Sequence, residues 1–244
     1  MPEGPSIVIL REAAAPFAGR VVVRVEGNSR LDIARMRGRR VKAFRSWGKH
    51  FLICFSGFTL RVHLLLFGTY RINERREATP RLALGFRAGE INLYACSLKF
   101  IEEDLDTVYD WRADVMGDAW DPRVARRKLA LQPRTLVADA LLDQSVFAGV
   151  GNIIKNEVLF RVRVHPETRV GDLPTRKLGE LIRAARDYSF DFYRWKNAFV
   201  LKKHWQVHAR TVCPRCGRRL VFRASLGTSR RRAFYCAHCQ VRHR

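Results

Sequence analysis

Between residues 5 and 15 the apolar positions Ile7, Leu10 and Ala14 fall on one face of a helix, which Pro16 and Gly19 end. The pattern then changes to short runs rich in β-branched, aromatic and leucine residues, at 20–25, 50–55, 59–64 and 91–95. Turn residues such as Ser56-Gly57 and Ala88-Gly89 separate them. A two-layered β domain with the opening helix packed against it is expected. Residues 100–117 are acidic and poor in strand signals, which places a domain boundary there. Beyond it the helical period returns. Asp121 is an N-cap and Pro122 a first-turn residue for a helix to about Leu131. Further helices are expected over 135–143, 152–160 and 175–195, the last with Leu178, Ile182, Ala185, Ser189 and Phe192 along its inner face.

The C-terminal segment reads differently again. Cys213-Pro-Arg-Cys216 is followed after nineteen residues by Cys236-Ala-His-Cys239, and the stretch between alternates as a hairpin around Gly227-Thr228-Ser229. Two such pairs can set four thiolates around one tetrahedral zinc ion. Disulfides are the competing reading, and His238 is a substitute ligand of lower standing. With four protein ligands the zinc is structural, because no position stays open for water. The fold class is α+β: an N-terminal helix with a β-sandwich over 1–117, a helical domain over 118–208 and a zinc-ribbon hairpin over 209–244.

Charge changes the picture of what such a protein meets. Its 244 residues carry 46 Lys and Arg against 23 Asp and Glu, a net +23. From residue 197 onward there is no carboxylate, against twelve Lys and Arg. Nucleic acid is the leading polyanion for so basic a fold. An anionic membrane is weaker, since no apolar run approaches a spanning length. Glu3 and two early prolines stand where a signal peptide has basic and apolar regions. The sparse, grouped cysteines fit a reducing, cytoplasmic compartment; Cys54 and Cys96 are expected to be ordinary buried residues.

Candidate chemistry begins at Met1-Pro2-Glu3-Gly4-Pro5. Pro2 is small enough for Met1 to be removed, leaving a secondary amine. An α-amino group titrates near roughly 8, so part of it is the neutral nucleophile at pH 7. Such an amine attacks an aldehyde-like carbon to form an iminium, and the adjacent Glu3 can move protons. Alone, the pair reads equally as a chain start with Pro5 opening a helix. A second stretch, Leu141-Leu142-Asp143-Gln144 with Gly149-Val150-Gly151-Asn152, joins two helices through a glycine-rich turn whose free amides and Asn152 can hold phosphate. A plain helical hairpin explains it too. In Trp47-Gly48-Lys49-His50, Lys49 begins a strand, where most lysines are solvated surface charges.

Together, the opening Met-Pro-Glu-Gly-Pro, Gly48-Lys49, residues 63–68, the 141–152 turn and the four-cysteine finger resemble the formamidopyrimidine-DNA glycosylase/endonuclease VIII family of base-excision repair enzymes. The resemblance spans the whole chain in order, and Gly4 is similar to the endonuclease VIII branch. It implies a helix-two-turn-helix in the middle domain and action on damaged DNA with a flipped-out base, for which a monomer is the simplest form. Pro2 would attack C1′ and expel the base, Glu3 would protonate the sugar-ring oxygen, and Lys49 would donate a proton in β-elimination. Gly151 and Asn152 would hold a backbone phosphate. The family's finger arginine, five residues before the third cysteine, falls on Arg231, with Arg230 and Arg232 open as alternatives. Leu66 would be the prime wedge filling the vacated stack, with Leu65 and Phe67 beside it. Three bulky apolar residues in succession cannot all face inward on a strand, and an exposed tip suits intercalation. Leu65 stands where endonuclease VIII relatives tend to carry glutamine. The short segment 196–212, where purine-specific relatives have a longer covering loop, favours oxidised pyrimidines. An oxidised-purine glycosylase and a non-catalytic nucleic-acid-binding zinc protein are the alternatives.

Overall fold

The computed structural model describes residues 2–244 and divides into two compact units that meet at Tyr109–Asp110. In the first, helix α1 (Gly4–Ala14) carries Pro5 in its opening turn, where a missing N–H costs no hydrogen bond. A single 3-10 turn, Ala15–Phe17, ends it at Pro16. Six strands follow: β1 (Arg24–Glu26), β2 (Ala43–Trp47), β3 (His50–Cys54), β4 (Thr59–Ile72), β5 (Leu82–Phe86) and β6 (Gly89–Ile101). They form one antiparallel sheet in the order β1-β5-β6-β4-β3-β2. Ile7 and Leu10 of α1, Phe51, Ile53, Leu60 and Val62 from one half of the sheet, and Leu84, Ile91 and Leu93 from the other all enter one core. The two expected β layers are therefore halves of one hydrogen-bonded sheet, joined by the long strands β4 and β6. Each fully buried side chain of this size contributes ~1.5–3 kcal/mol. A short helix α2 (Leu105–Val108), capped by Asp104 Oδ1 accepting from Asp106 N at 2.8 Å, closes the unit.

Three expectations change. The run at 20–25 pairs as a strand only over β1; Val21 makes one isolated bridge to Arg40, because the partner segment turns at Gly38 (φ +77°). Strands β2 and β5 were not anticipated, and the runs at 59–64 and 91–95 are parts of strands of 14 and 13 residues. The cysteines differ: Cys96 is buried and Cys54 half-buried.

In the second unit α3 (Pro122–Ala130) starts as expected, with Asp121 Oδ1 accepting from Arg123 N at 2.8 Å. The helix expected over 135–143 shortens to α4 (Val137–Ala140). Asp143 instead accepts from the backbone N–H (2.9 Å) and hydroxyl (2.7 Å) of Ser145, and Gln144 donates to the carbonyls of Leu142 (2.8 Å) and Val150 (3.1 Å). Gln144 Oε1 also accepts from Gly149 N at 3.1 Å. These side chains satisfy the turn's backbone more locally than another helical turn would. Helices α5 (Asn152–Arg161) and α6 (Thr175–Asn197) follow, then the hairpin β7 (Val221–Leu226) and β8 (Arg231–Tyr235). Leu226, Ala233 and Tyr235 of that hairpin share a core with Leu141, Phe147, Ile154, Leu181, Tyr188 and Phe192. The finger is thus built into the second unit. Among the described residues no helix is long and apolar enough to cross a membrane.

Candidate functional site

In the first unit Pro2 is half-buried and Glu3 fully buried just before α1. The Glu3 carbonyl accepts from Ser6 N at 2.8 Å, which closes the first helical turn. Helix α1 packs on β2 and β3. Those two strands are joined by a two-residue turn, Gly48-Lys49, between the paired residues Trp47 and His50. Gly48 supplies the left-handed conformation (φ +53°) that so tight a turn requires. Lys49 is half-buried at its tip.

Beside Lys49 lies an aromatic and imidazole group that the sequence did not reveal. His50 and His63 are cross-strand partners whose rings meet edge to face at 5.5 Å. His50 Nδ1 lies 3.2 Å from the Tyr109 hydroxyl, and Trp47 rests 4.9 Å from the Tyr109 ring. Burial, with help from Arg61, His63 and Lys49, pushes the His50 imidazole down to about 4. Burial and the charges of Lys49 and Arg61 also lower His63. Burial raises the Tyr109 phenol to about 12, against the pull of Arg61. All three rings are neutral at pH 7, so they add no cation beside the Lys49 ammonium. Only the alternation of His50 and His63 on adjacent strands could have signalled the group.

Strand β4 leaves the ladder once. Leu64 pairs with Cys96 and Thr69 with Tyr94, so four residues on β4 face the single Ala95 of β6. Ala95 takes a left-handed conformation (φ +47°) to allow it. The extruded residues are Leu65, Leu66, Phe67 and Gly68, with exposures of 46%, 50% and 81% for the three apolar ones. Alternation foretold at least one exposed residue, and the bulge exposes all three. A Cβ on Gly68 would lie 2.8 Å from Leu65 N and 2.9 Å from the Ala95 carbonyl, so the turn closes only on glycine.

In the second unit Gly149 (φ +101°) and Gly151 lead into α5 at Asn152. Asn152 Oδ1 accepts from Lys155 Nζ at 2.9 Å, which leaves its amide group the donor end. Lys155 is buried and also donates to the Arg232 carbonyl at 2.9 Å. Asn156 accepts from Phe234 N at 3.3 Å and meets His208 Nδ1 at 3.2 Å. The Glu157 carboxylate accepts from the backbone N–H groups of Gln206, Val207 and His208 at 2.7–2.9 Å. Burial raises the Glu157 carboxyl despite these donors. Three consecutive buried polar residues of α5 therefore hold β8 and the segment before the finger. The signal for them was a Lys-Asn-Glu run inside an otherwise apolar helix.

Arg231 opens β8 opposite Leu226, whereas Arg230 sits in the turn with φ +49°. By strand alternation Arg231 shares a face with the buried Ala233 and Tyr235, and Arg232 points the other way. The hairpin tip is tethered by Asp139 of α4, whose carboxylate accepts from Thr228 N (2.9 Å) and Ser229 N (3.0 Å). Burial works to raise the Asp139 carboxyl, but these hydrogen bonds hold it below the ordinary range. At the finger's base the sulfurs of Cys213, Cys216, Cys236 and Cys239 lie within 4.8 Å of one another and none is in a disulfide. Sγ–Sγ distances of 3.9 Å (Cys213–Cys239) and 3.5 Å (Cys216–Cys236) fit the edges of a tetrahedron with metal–sulfur bonds of ~2.3 Å. These four cysteines could hold a metal ion. His238 stands outside the group, 3.0 Å from Arg218.

Comparison with known proteins gives consistent matches over the same segments. A family model for the formamidopyrimidine-DNA glycosylase N-terminal domain matches residues 1–100, and one for the helix-two-turn-helix domain of that glycosylase matches 114–188. The DNA-(apurinic or apyrimidinic site) lyase Nei2 of Mycolicibacterium smegmatis is 30% identical over 99% of this chain and 99% of its own length. Endonuclease 8-like 3 of Xenopus laevis is 27% identical over 98% of this chain, which spans only 40% of that protein's length. Among solved structures, a viral DNA glycosylase aligns with TM-score 0.85 at 17% identity, covering 98% of this chain and 100% of its own. The Lactococcus lactis formamidopyrimidine-DNA glycosylase bound to abasic-site DNA aligns at 0.83 and 20% identity, covering 98% and 99%.

Proposed function

For a chain that belongs to the formamidopyrimidine-DNA glycosylase/endonuclease VIII family, we propose a bifunctional DNA glycosylase and AP lyase that removes oxidised pyrimidines from DNA. The observation that carries the reading is the first unit's own arrangement: Pro2 and the buried Glu3 open α1, and α1 packs on the hairpin whose turn presents Lys49. Binding alone requires none of these three.

The chemistry runs as covalent carbonyl catalysis. The Pro2 amine, freed of Met1, attacks C1′ of the damaged nucleotide as the glycosidic bond breaks and the base leaves with its electron pair. Glu3 gives a proton to the ring oxygen, and the opened sugar carries an iminium at C1′. That electron sink lets the C2′ proton pass to a base, for which the Glu3 carboxylate left by ring opening is available, while the C3′–O bond breaks and Lys49 gives its proton to the departing 3′ phosphate oxygen. Gly151 and Asn152 hold a backbone phosphate, the amide of Asn152 being turned outward by Lys155. Arg231 serves the second elimination; its place on the face that packs on α5 favours it over Arg230 and Arg232. Leu66, with Leu65 and Phe67, fills the stack from the β4 bulge once the base has flipped out.

A single zinc ion on Cys213, Cys216, Cys236 and Cys239 holds the finger and is no part of the reaction. The preference for pyrimidines is supported by the segment before the finger, which Glu157 pins at three backbone N–H groups and which has little free length to cover a purine. The protein acts as a cytoplasmic monomer on damaged DNA. Borohydride trapping on abasic DNA is the test. Protein lacking Met1 should become covalently attached, Pro2→Gly should lose at least about a hundredfold in trapping rate, and absence of trapping by the intact protein overturns the reading. Release of dihydrouracil or thymine glycol should exceed release of 8-oxoguanine; the reverse order reassigns the substrate to purines.

A further inference from the structure

Three arginines of the second unit stand together without a counter-charge. Arg123 and Arg126 lie one turn apart on α3 and Arg183 lies on α6; with Pro122, Gly179 and Ile182 they line an open cleft of about 280 Å³. Among the described residues no carboxylate oxygen lies within 4.0 Å of any of these guanidinium groups. Two acids close to them in sequence are engaged elsewhere. Glu180 is held by Lys177 (2.6 Å) and Arg176 (3.1 Å), and Asp121 caps α3.

Gly179 explains how the charges converge. A Cβ there would lie 3.1 Å from Arg126 Nη2 and 3.8 Å from Arg183 Nη1, so both guanidinium ends sit over one stretch of bare helix backbone. Glycine weakens a helix interior, and here it opens the floor of the cleft. Two cations drawn to one point repel each other unless an anion joins them, and paired planar forks suit phosphate oxygens. The floor below, made of Pro122, Ile182 and arginine methylenes, is apolar and suits a deoxyribose.

We propose that this cleft is a second phosphate-binding site that takes a backbone phosphodiester of the DNA, away from the Asn152 turn in sequence and formed by different elements. It rests on the DNA reading above for the identity of the polyanion. It lengthens the footprint on the duplex and takes no part in the chemistry.

The test measures binding of a 30-base-pair duplex, with and without an abasic site, by fluorescence anisotropy from about 50 to 300 mM salt. Two variants separate site from field. Arg126→Gln/Arg183→Gln removes the forks, and Gly179→Leu fills the cleft at unchanged charge, with circular dichroism checking that α6 is retained. The double variant should bind about tenfold more weakly at ~0.1 M salt, and its salt slope should flatten by about one, as expected for losing one phosphate contact at ~0.9. Gly179→Leu should also weaken binding several-fold. The single-turnover rate at saturating DNA should be unchanged in both. An unchanged slope in the double variant overturns the proposal, and so does a loss confined to it, which marks a diffuse field. If the slope holds while affinity for polyglutamate falls, the cleft serves an acidic protein and the proposal fails. Borohydride trapping keeps the two readings apart: wild-type protein that never traps, yet shows the slope change, sinks the enzyme reading and leaves this site standing.

Discussion

His50 and Lys155 show what single buried polar residues do here. A histidine held near 4 when folded and near roughly 6.5 when unfolded leaves the unfolded chain binding more protons between those values. Its stabilising effect is therefore complete above about pH 6.5 and is lost as pH falls toward about 4. Thermal melts over that window should show the loss, of order 2 kcal/mol once partial exposure is discounted, and His50→Gln should flatten the curve. Lys155 makes a different case. Lys155→Met strands the buried Asn152 side-chain oxygen, at a cost of ~1–3 kcal/mol, and removes a part-buried bond to the Arg232 carbonyl. Chemical denaturation should read this, and phosphate-dependent affinity should fall with it because the Asn152 amide loses its orientation. The residue scale was the least legible in the sequence. The grouping of the four cysteines was legible in their spacing, whereas His50, Tyr109 and Lys155 acquire meaning only through partners across strands or 77 positions away.

At the scale of elements, the patterns that could be read were those with their own local chemistry. The α1 and α3 starts, marked by proline and by an aspartate cap, lie where expected. The 135–143 helix failed because Asp143 and Gln144 bond to the turn, a competition that periodicity does not weigh. The β4 bulge was half-visible: the apolar run was evident, but the left-handed Ala95 opposite it was not. Phe67→Ala together with Leu66→Ala should leave the melting temperature nearly unchanged, since exposed side chains lose little burial. Release of a base from duplex should slow about tenfold or more, while single-stranded substrate is hardly affected; equal slowing on both would deny these residues a wedge role. The hairpin tip answers to Asp139. Because its depressed carboxyl binds protons more readily in the unfolded chain, the tether is strong above about pH 4 and fades as acid protonates it. Asp139→Asn should raise the fraction of strand breaks that stop after β-elimination, read on a denaturing gel.

For the whole molecule, the acidic stretch over 100–117 suggested a boundary at 117 and a separate finger from 209, whereas the structure divides at Tyr109–Asp110 and unites helices and finger in one unit. A hairpin with a charged sequence looks like an appendage until Leu226, Ala233 and Tyr235 are found in the helical core. Metal removal should therefore do more than free an arm. Chelation or Cys216→Ser should lower the melting temperature of the second unit, abolish tight DNA binding and leave the first unit's transition in place, which two-step calorimetry would resolve. The bulge in β4 carries a wider implication. Leu64–Cys96 and Thr69–Tyr94 are paired on either side of it, so the segment between them hangs outside the ladder and bears no part of the sheet's register. Side chains can be exchanged there at little cost to the sheet's pairing, save at the closing Gly68. Evolution, or an engineer, can retune the exposed apolar tip of this strand while the ladder on either side of it stays paired.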